Sequence, residues 1–171
     1  MSRFESWARP LINGIEAINE FTGRLVSWLT LFMVITTFAV VILRYLFDTG
    51  WIAMQESITY MHALLFLVGA AYTLKHQGHV RVDIFFGKFS ERGKAWVDLL
   101  GTLFLLVPVC GFILFVSWDY VAVSWSMMES SQEAGGLDGV YLLKSMILVM
   151  ATLLLLQGVA MVLRSLLVIR Q

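Results

Sequence analysis

Cysteine occurs once in the 171 residues, at Cys110, and proline twice, at Pro10 and Pro108. A disulfide framework or a thiolate-ligated cluster needs at least two thiols, so the chain alone builds neither, and Cys110 reads as a small apolar residue. Charge is scarce: 12 Lys and Arg balance 12 Asp and Glu, 14% of the chain together, against about 25% in an ordinary soluble domain. A net charge of zero leaves no clustered basic excess for phosphate, which argues against nucleic acid as a partner. Also missing are a glycine-rich phosphate loop, paired catalytic carboxylates and a Ser/His/Asp arrangement, so nothing marks an enzyme, a cofactor site or a metal site. No repeat, linker or low-complexity stretch divides the chain, and residues 1–171 read as one domain.

What fills the sequence is apolar surface: 59% of residues are hydrophobic and the mean hydropathy is +0.81. A transmembrane helix needs about 20 mostly apolar residues to cross about 30 Å of hydrocarbon. Four stretches qualify, at about 25–43, 52–74, 96–118 and 140–163. Backbone polar groups cannot be left unpaired in lipid, and no alternating barrel pattern is visible, so the expected fold is all-α with four transmembrane helices. Pro108 and Gly111 predict a kink in the third, tolerable where a neighbouring helix packs against it. Ahead of the first span, Phe4, Trp7, Leu11, Ile15, Ile18 and Phe21 recur at intervals of three and four. That spacing predicts an amphipathic interfacial helix over residues 1–22, bent or started at Pro10, lying on phospholipid or docked on protein. The first apolar run begins too late and runs too long for a cleaved signal.

Ten of the twelve Lys and Arg fall in the N-terminal segment, the loop between the second and third spans, and the C-terminus. The other two external connections instead collect Asp48, Glu56, Asp119, Glu129, Glu133 and Asp138. By the positive-inside rule both termini face the cytoplasm.

Within or beside the spans, Glu56 and Lys144 are the intramembrane charges to explain, either as ion or proton carriers or as pairing groups near helix ends. Helix dipoles favour Glu56 at the start of its helix and Arg44 at the end of the preceding one, so an Arg44–Glu56 pair is expected. Lys144 starts a helix, where the dipole disfavours it, and calls for an acidic partner such as Glu129 or Glu133, or one from another chain. The segment Gly78-His79-Val80-Arg81-Val82-Asp83 alternates polar and apolar residues and reads as an extended, ordered loop. His76, His79 and Asp83 match no familiar metal spacing, and a haem anchor would want facing His residues where only His62 lies inside a span. Gly69-Ala70-Ala71 offers a small-residue face for another helix. Trp125, Met128 and Glu129 lie on an external segment that could dock a partner or anchor at the headgroups.

Taken in order, Leu43-Arg44-Tyr45-Leu46-Phe47, Trp51, Gln55-Glu56, Gly69-Ala70-Ala71-Tyr72-Thr73-Leu74 and Gly78-His79-Val80-Arg81-Val82-Asp83 form a series. It continues through Val97-Asp98-Leu99-Leu100-Gly101, Glu129-Ser130-Ser131, Gly135-Gly136-Leu137 and Leu143-Lys144. In this series the sequence resembles the small membrane subunit of tripartite ATP-independent periplasmic (TRAP) transporters, over nearly its whole length. Asp138 departs from the pattern, since similar sequences often carry Pro after Gly-Gly-Leu.

The resemblance implies a bacterial inner-membrane uptake system for organic anions, driven by a sodium gradient and fed by a periplasmic binding protein. It implies that a large multi-span subunit carries substrate and sodium while the small subunit widens its fixed scaffold. Carried over by position, Arg44, Glu56, His79, Arg81, Asp83 and Lys144 would be structural or intersubunit contacts, and none catalytic. The competing readings are an autonomous ion or proton conductor using Glu56 and Lys144, and a membrane anchor for a redox enzyme.

Overall fold

A computed structural model describes residues 3–78 and 86–170 of the chain. The candidates His79, Arg81 and Asp83 lie outside the described residues. The described chain is helical, and four helical rods are long and apolar enough to cross a membrane. The first rod is α1 (Arg3–Leu46) and the second is α2 (Ile52–Lys75). The third is made of α3 (Glu91–Gly101), a π turn (Thr102–Leu106) and α4 (Val107–Ser126). The fourth is α5 (Val140–Ile169). The expected second span is matched almost to the residue, the third extends at both ends, and the fourth runs six residues further.

Successive rods run antiparallel, so both termini sit at one end of the bundle, called proximal here. The Arg170 guanidinium lies 4.3 Å from the centre of the Phe4 ring, and Lys75 meets Glu20 at the same end. At the distal end lie the 47–51 and 127–139 connections. α5 is the central mast, packed against all the other rods, and its buried residues include Ala151, Gly158, Ala160 and Ser165. Small side chains there let neighbouring backbones approach closely, which is how helices associate when lipid provides no hydrophobic drive. One cluster joins Ile12 and Ile15 of α1 to Ala160 and Leu163 of α5. A second joins Val26 of α1, Val68 and Ala71 of α2, and Leu153 of α5. The third rod leans on α5 and leaves an apolar groove of about 460 Å³ towards α2, lined by Leu74, Val97, Leu105, Val109 and Met161 among others.

No boundary separates a segment 1–22 from the first span. α1 is one helix of 44 residues, roughly 66 Å long at 1.5 Å per residue, with Pro10 inside it. Its buried stripe also differs from the expected one. Ala8, Ile12, Ile15 and Asn19 face α5, whereas Trp7, Leu11, Ile18 and Phe21 of the apolar series are exposed. Spacings of three and four fit more than one helix face, and the polar Asn19 lies on the buried one.

The disturbance expected at Pro108 takes the form of the π turn just ahead of it. The Val107 N–H donates to Thr102 O, five residues back. Proline at 108 would otherwise press its ring on the carbonyl four residues earlier, and the wider turn relieves that crowding. The turn packs on Gly158, where a Cβ would meet Leu106 Cδ2 at 2.9 Å.

Helix ends follow local chemistry. Ser90 caps α3 by accepting from the Gly93 N–H at 3.2 Å. α2 closes with paired bonds from Gly78 N–H to Thr73 O and from Gln77 N–H to Leu74 O, with Gln77 left-handed at φ 54°. α4 ends in the same motif with Met128 left-handed at φ 45°, which turns Glu129 back towards the bundle.

The tightest crossing is between α1 and α2, where a Cβ on Gly23 would lie 2.3 Å from Tyr72 Cγ, whereas one on Gly14 would meet nothing within 4 Å. Gly23→Ala should therefore cost about 1–3 kcal/mol, Gly158→Ala less because Leu106 can swing, and Gly14→Ala essentially nothing. Thermal midpoints of the three variants in detergent should fall in that order.

Candidate functional site

The polar groups gather in layers at the two ends of the bundle. At the distal end Glu56, in the second turn of α2, points into the connection between α4 and α5. It accepts from the Leu137 N–H at 2.7 Å and from the Ser131 hydroxyl. Ser131 N–H donates to Leu137 O at 3.1 Å, so residues 131–137 close on themselves over the carboxylate. Gly136 is required there, since a Cβ would lie 2.7 Å from Glu56 Oε2 and 2.4 Å from Ser131 Oγ. Gly135 turns the chain at φ 80°. The expected Arg44–Glu56 pair is not formed. Arg44 is exposed at the end of α1 and has no ion pair among the described residues, because the strap after α4 takes both carboxylate oxygens of Glu56.

Lys144 does find the expected acid. Its Nζ is 2.5 Å from Glu129 Oε2 and sits 4.1 Å from the centre of the Tyr120 ring. Ser124 Oγ donates to the same Glu129 oxygen at 2.6 Å. The Lys144 ammonium first, and the Ser124 hydroxyl second, hold the Glu129 carboxyl below the usual carboxylate range. Trp125 is fastened at the surface, its indole N–H donating to Ser145 Oγ at 2.7 Å and its ring meeting Tyr141 edge-on at 4.7 Å. Of the expected docking face, Trp125 and Met128, with the neighbouring Met127, are exposed, while Glu129 is turned onto Lys144.

At the proximal end Glu20 is a hub. Its Oε2 lies 2.6 Å from Lys75 Nζ and 2.8 Å from His76 Nε2, and its Oε1 accepts from Arg24 at 2.7 Å. Glu16 pairs with Arg164 of α5. Deeper in, Asn19 and Gln157 are 0% and 2% exposed and share a bond of 2.8 Å from Nδ2 to Oε1. None of these ties was anticipated from sequence. The signal available was Gln157, an amide beside Gly158 in an otherwise apolar run, which needs a partner at that depth. Among the described residues no three His, Cys, Asp or Glu side chains converge as a metal site would need.

This arrangement defines a polytopic helical membrane protein whose buried polar groups bind its own helices and loops together. The chain belongs to the family of tripartite ATP-independent periplasmic transporters, DctQ component, which matches residues 33–168. That is a family of transporter subunits, not of enzymes. The chain is 30% identical over 122 residues to the C4-dicarboxylate TRAP transporter small permease protein DctQ of Vibrio cholerae serotype O1. That alignment takes in 68% of this chain and 48% of the relative, so the chain spans about half the length of the curated protein it matches. No solved structure matches it.

Two measurements follow. Removing one member of the Asn19–Gln157 pair, as in Gln157→Leu, should cost about 1–3 kcal/mol because a buried amide is left unpaired, while Asn19→Leu with Gln157→Leu should recover most of the loss. Detergent melts of the single and double variants check this. Glu129, with its folded pKa depressed, contributes stability that is present above its unfolded value near 4.3 and lost as pH falls through the lower folded one. Between pH 7 and pH 3 the melting midpoint should therefore fall less steeply for Glu129→Gln than for the natural chain, from a lower starting point at pH 7.

Proposed function

We propose that the chain is the small membrane subunit of a sodium-driven TRAP uptake system for an organic anion, and that it packs against the large subunit that carries the substrate. The observation that carries this reading is the closure of Glu56 and Lys144 on partners in the same chain, both at the distal end. A conductor would need such charges open to a pathway across the bilayer. A scaffold needs them spent on holding helices, which leaves the outer faces to neighbours and lipid.

With the Lys- and Arg-rich end at the cytoplasm, both termini face inward in a bacterial inner membrane. The outward Trp7, Leu11, Ile18 and Phe21 of α1 then suit phospholipid at the inner interface, while Ala8, Ile12 and Ile15 hold the same stretch on α5. Arg44, exposed and without an ion pair among the described residues, joins His79, Arg81 and Asp83 as a candidate intersubunit contact. At the external end Met127 and Met128 offer an adaptable apolar surface to a periplasmic binding protein. The Vibrio cholerae relative is a C4-dicarboxylate transporter component by name, which makes C4-dicarboxylates the first substrates to assay.

The test is affinity purification from the native membrane in mild detergent, followed by reconstitution. A stoichiometric many-span partner should co-purify, and liposomes holding both should take up the anion only with a sodium gradient and the binding protein. The chain alone should be silent; proton or ion current from it alone would establish the conductor and overturn the scaffold. Arg44→Ala should leave the melting midpoint of the isolated chain nearly unchanged but reduce recovery of the partner, whereas Glu56→Ala should lower both.

A further inference from the structure

α2 and the third rod both lean on α5 and scarcely touch each other, so a cleft follows the mast between them. At the proximal end it is a chamber of about 280 Å³, with Glu91, Lys94, Asp98, Arg164 and Ser165 on its lining. It narrows to about 40 Å³ past Lys75 and Gln157, then continues as the apolar groove of about 460 Å³. The three spaces adjoin, since Arg164 and Ser165 line the first two and Leu74 and Met161 the last two. Donors gather around the chamber and its neck. Gln157 is 2% exposed and gives its Oε1 to Asn19, which leaves its amide N–H groups without a partner among the described residues. Arg164 bonds Glu16 through one nitrogen of a guanidinium that has further donors to offer. The Lys94 ammonium is held by the exposed Glu91 at 2.9 Å, a surface pair of little strength.

On the third rod the groove's lining runs from Val97 to Ile113, roughly 24 Å at 1.5 Å per residue. Half of a bilayer, headgroups included, is about 20–22 Å. Further on, α4 closes on α5 through the buried Val121 and Ser124 and the Trp125–Ser145 bond. We infer that the cleft holds one glycerophospholipid of the leaflet at the proximal end, its phosphate among Gln157, Arg164 and Lys94 and one acyl chain in the groove. An opening that is basic and polar at one end, apolar beyond, and one leaflet deep has the outline of a lipid. Glu91 and Asp98 on the chamber wall favour a headgroup that also carries an ammonium over one with a second negative charge. A transmembrane helix of another chain would need a trough along the whole rod, and free phosphate would leave the groove unfilled. The lipid couples α2 to the third rod where their own side chains scarcely meet.

The experiment is native mass spectrometry of the chain purified from its membrane in mild detergent, with any retained lipid identified by fragmentation. A Cβ at Gly101, on the groove lining, meets nothing within 4 Å, and neither does one at Gly111, outside it. Gly101→Phe should therefore enter the groove, and Gly111→Phe is its control. The natural chain and Gly111→Phe should each retain one aminophospholipid, and Gly101→Phe should lose it. Lys94→Gln should weaken retention roughly fivefold, the worth of one basic side chain near a headgroup. Melting midpoints establish that each variant folds, and the half-buried Lys94 keeps the test decisive if Gly101→Phe does not fold. In native membranes, p-benzoylphenylalanine at position 105 or 109 should crosslink to lipid. No lipid on the natural chain, detergent in its place, or a lipid without an amine would overturn the assignment. So would equal retention by folded Gly101→Phe or by Lys94→Gln, equal loss from Gly111→Phe, or a crosslink from 105 or 109 to another protein chain.

Discussion

A charge inside hydrocarbon has no water to turn to, and the placement of Glu56 and Lys144 decides how the rest of the distal end is built. Each lies within about two turns of its helix start, and each draws part of the same connection down onto the bundle: Glu129 onto Lys144, then Ser131 and Leu137 onto Glu56. The segment from 127 to 139 is therefore a strap between α2 and α5, although it belongs to neither. The left-handed Met128 and the crowded Gly136 are local costs of drawing the chain over two fixed charges.

The same constraint works at the proximal end with different residues. α1 is fastened to α5 by Asn19–Gln157 and Glu16–Arg164, and to α2 by Glu20–Lys75, with Glu20 also gathering Arg24 and His76. Between the two polar layers the contacts are apolar and small, with Ala71, Ala151 and Ala160 almost fully buried. Packing fixes how near the helices stand, and the polar ties fix their register.

Much of this was legible from the sequence, and the exceptions have physical causes. Uninterrupted apolar runs identify spans because lipid admits nothing else, and an acid for Lys144 could be named because few acidic groups lie within reach. The Arg44–Glu56 pair failed because dipole arguments place charges at helix ends without saying which neighbour fills each end first; backbone and hydroxyl donors of a later loop reached Glu56 instead. The N-terminal series mixes two faces of α1, Phe4 and Ile15 towards α5 and Trp7, Leu11, Ile18 and Phe21 outward, and periodicity alone does not rank them. Glu20 is invisible as a hub in one dimension, since Lys75 and His76 stand more than fifty residues away.

The unbroken length of α1 has a mechanical consequence. A helix of roughly 66 Å cannot shorten when the bilayer around it thins, so it must tilt. Its polar fastenings at Glu16, Asn19 and Glu20 lie nearer its middle than its distal tip, and they act as a fulcrum. A tilt about that point swings Phe4 and Arg44 in opposite directions, so membrane thickness on one side is felt as displacement on the other.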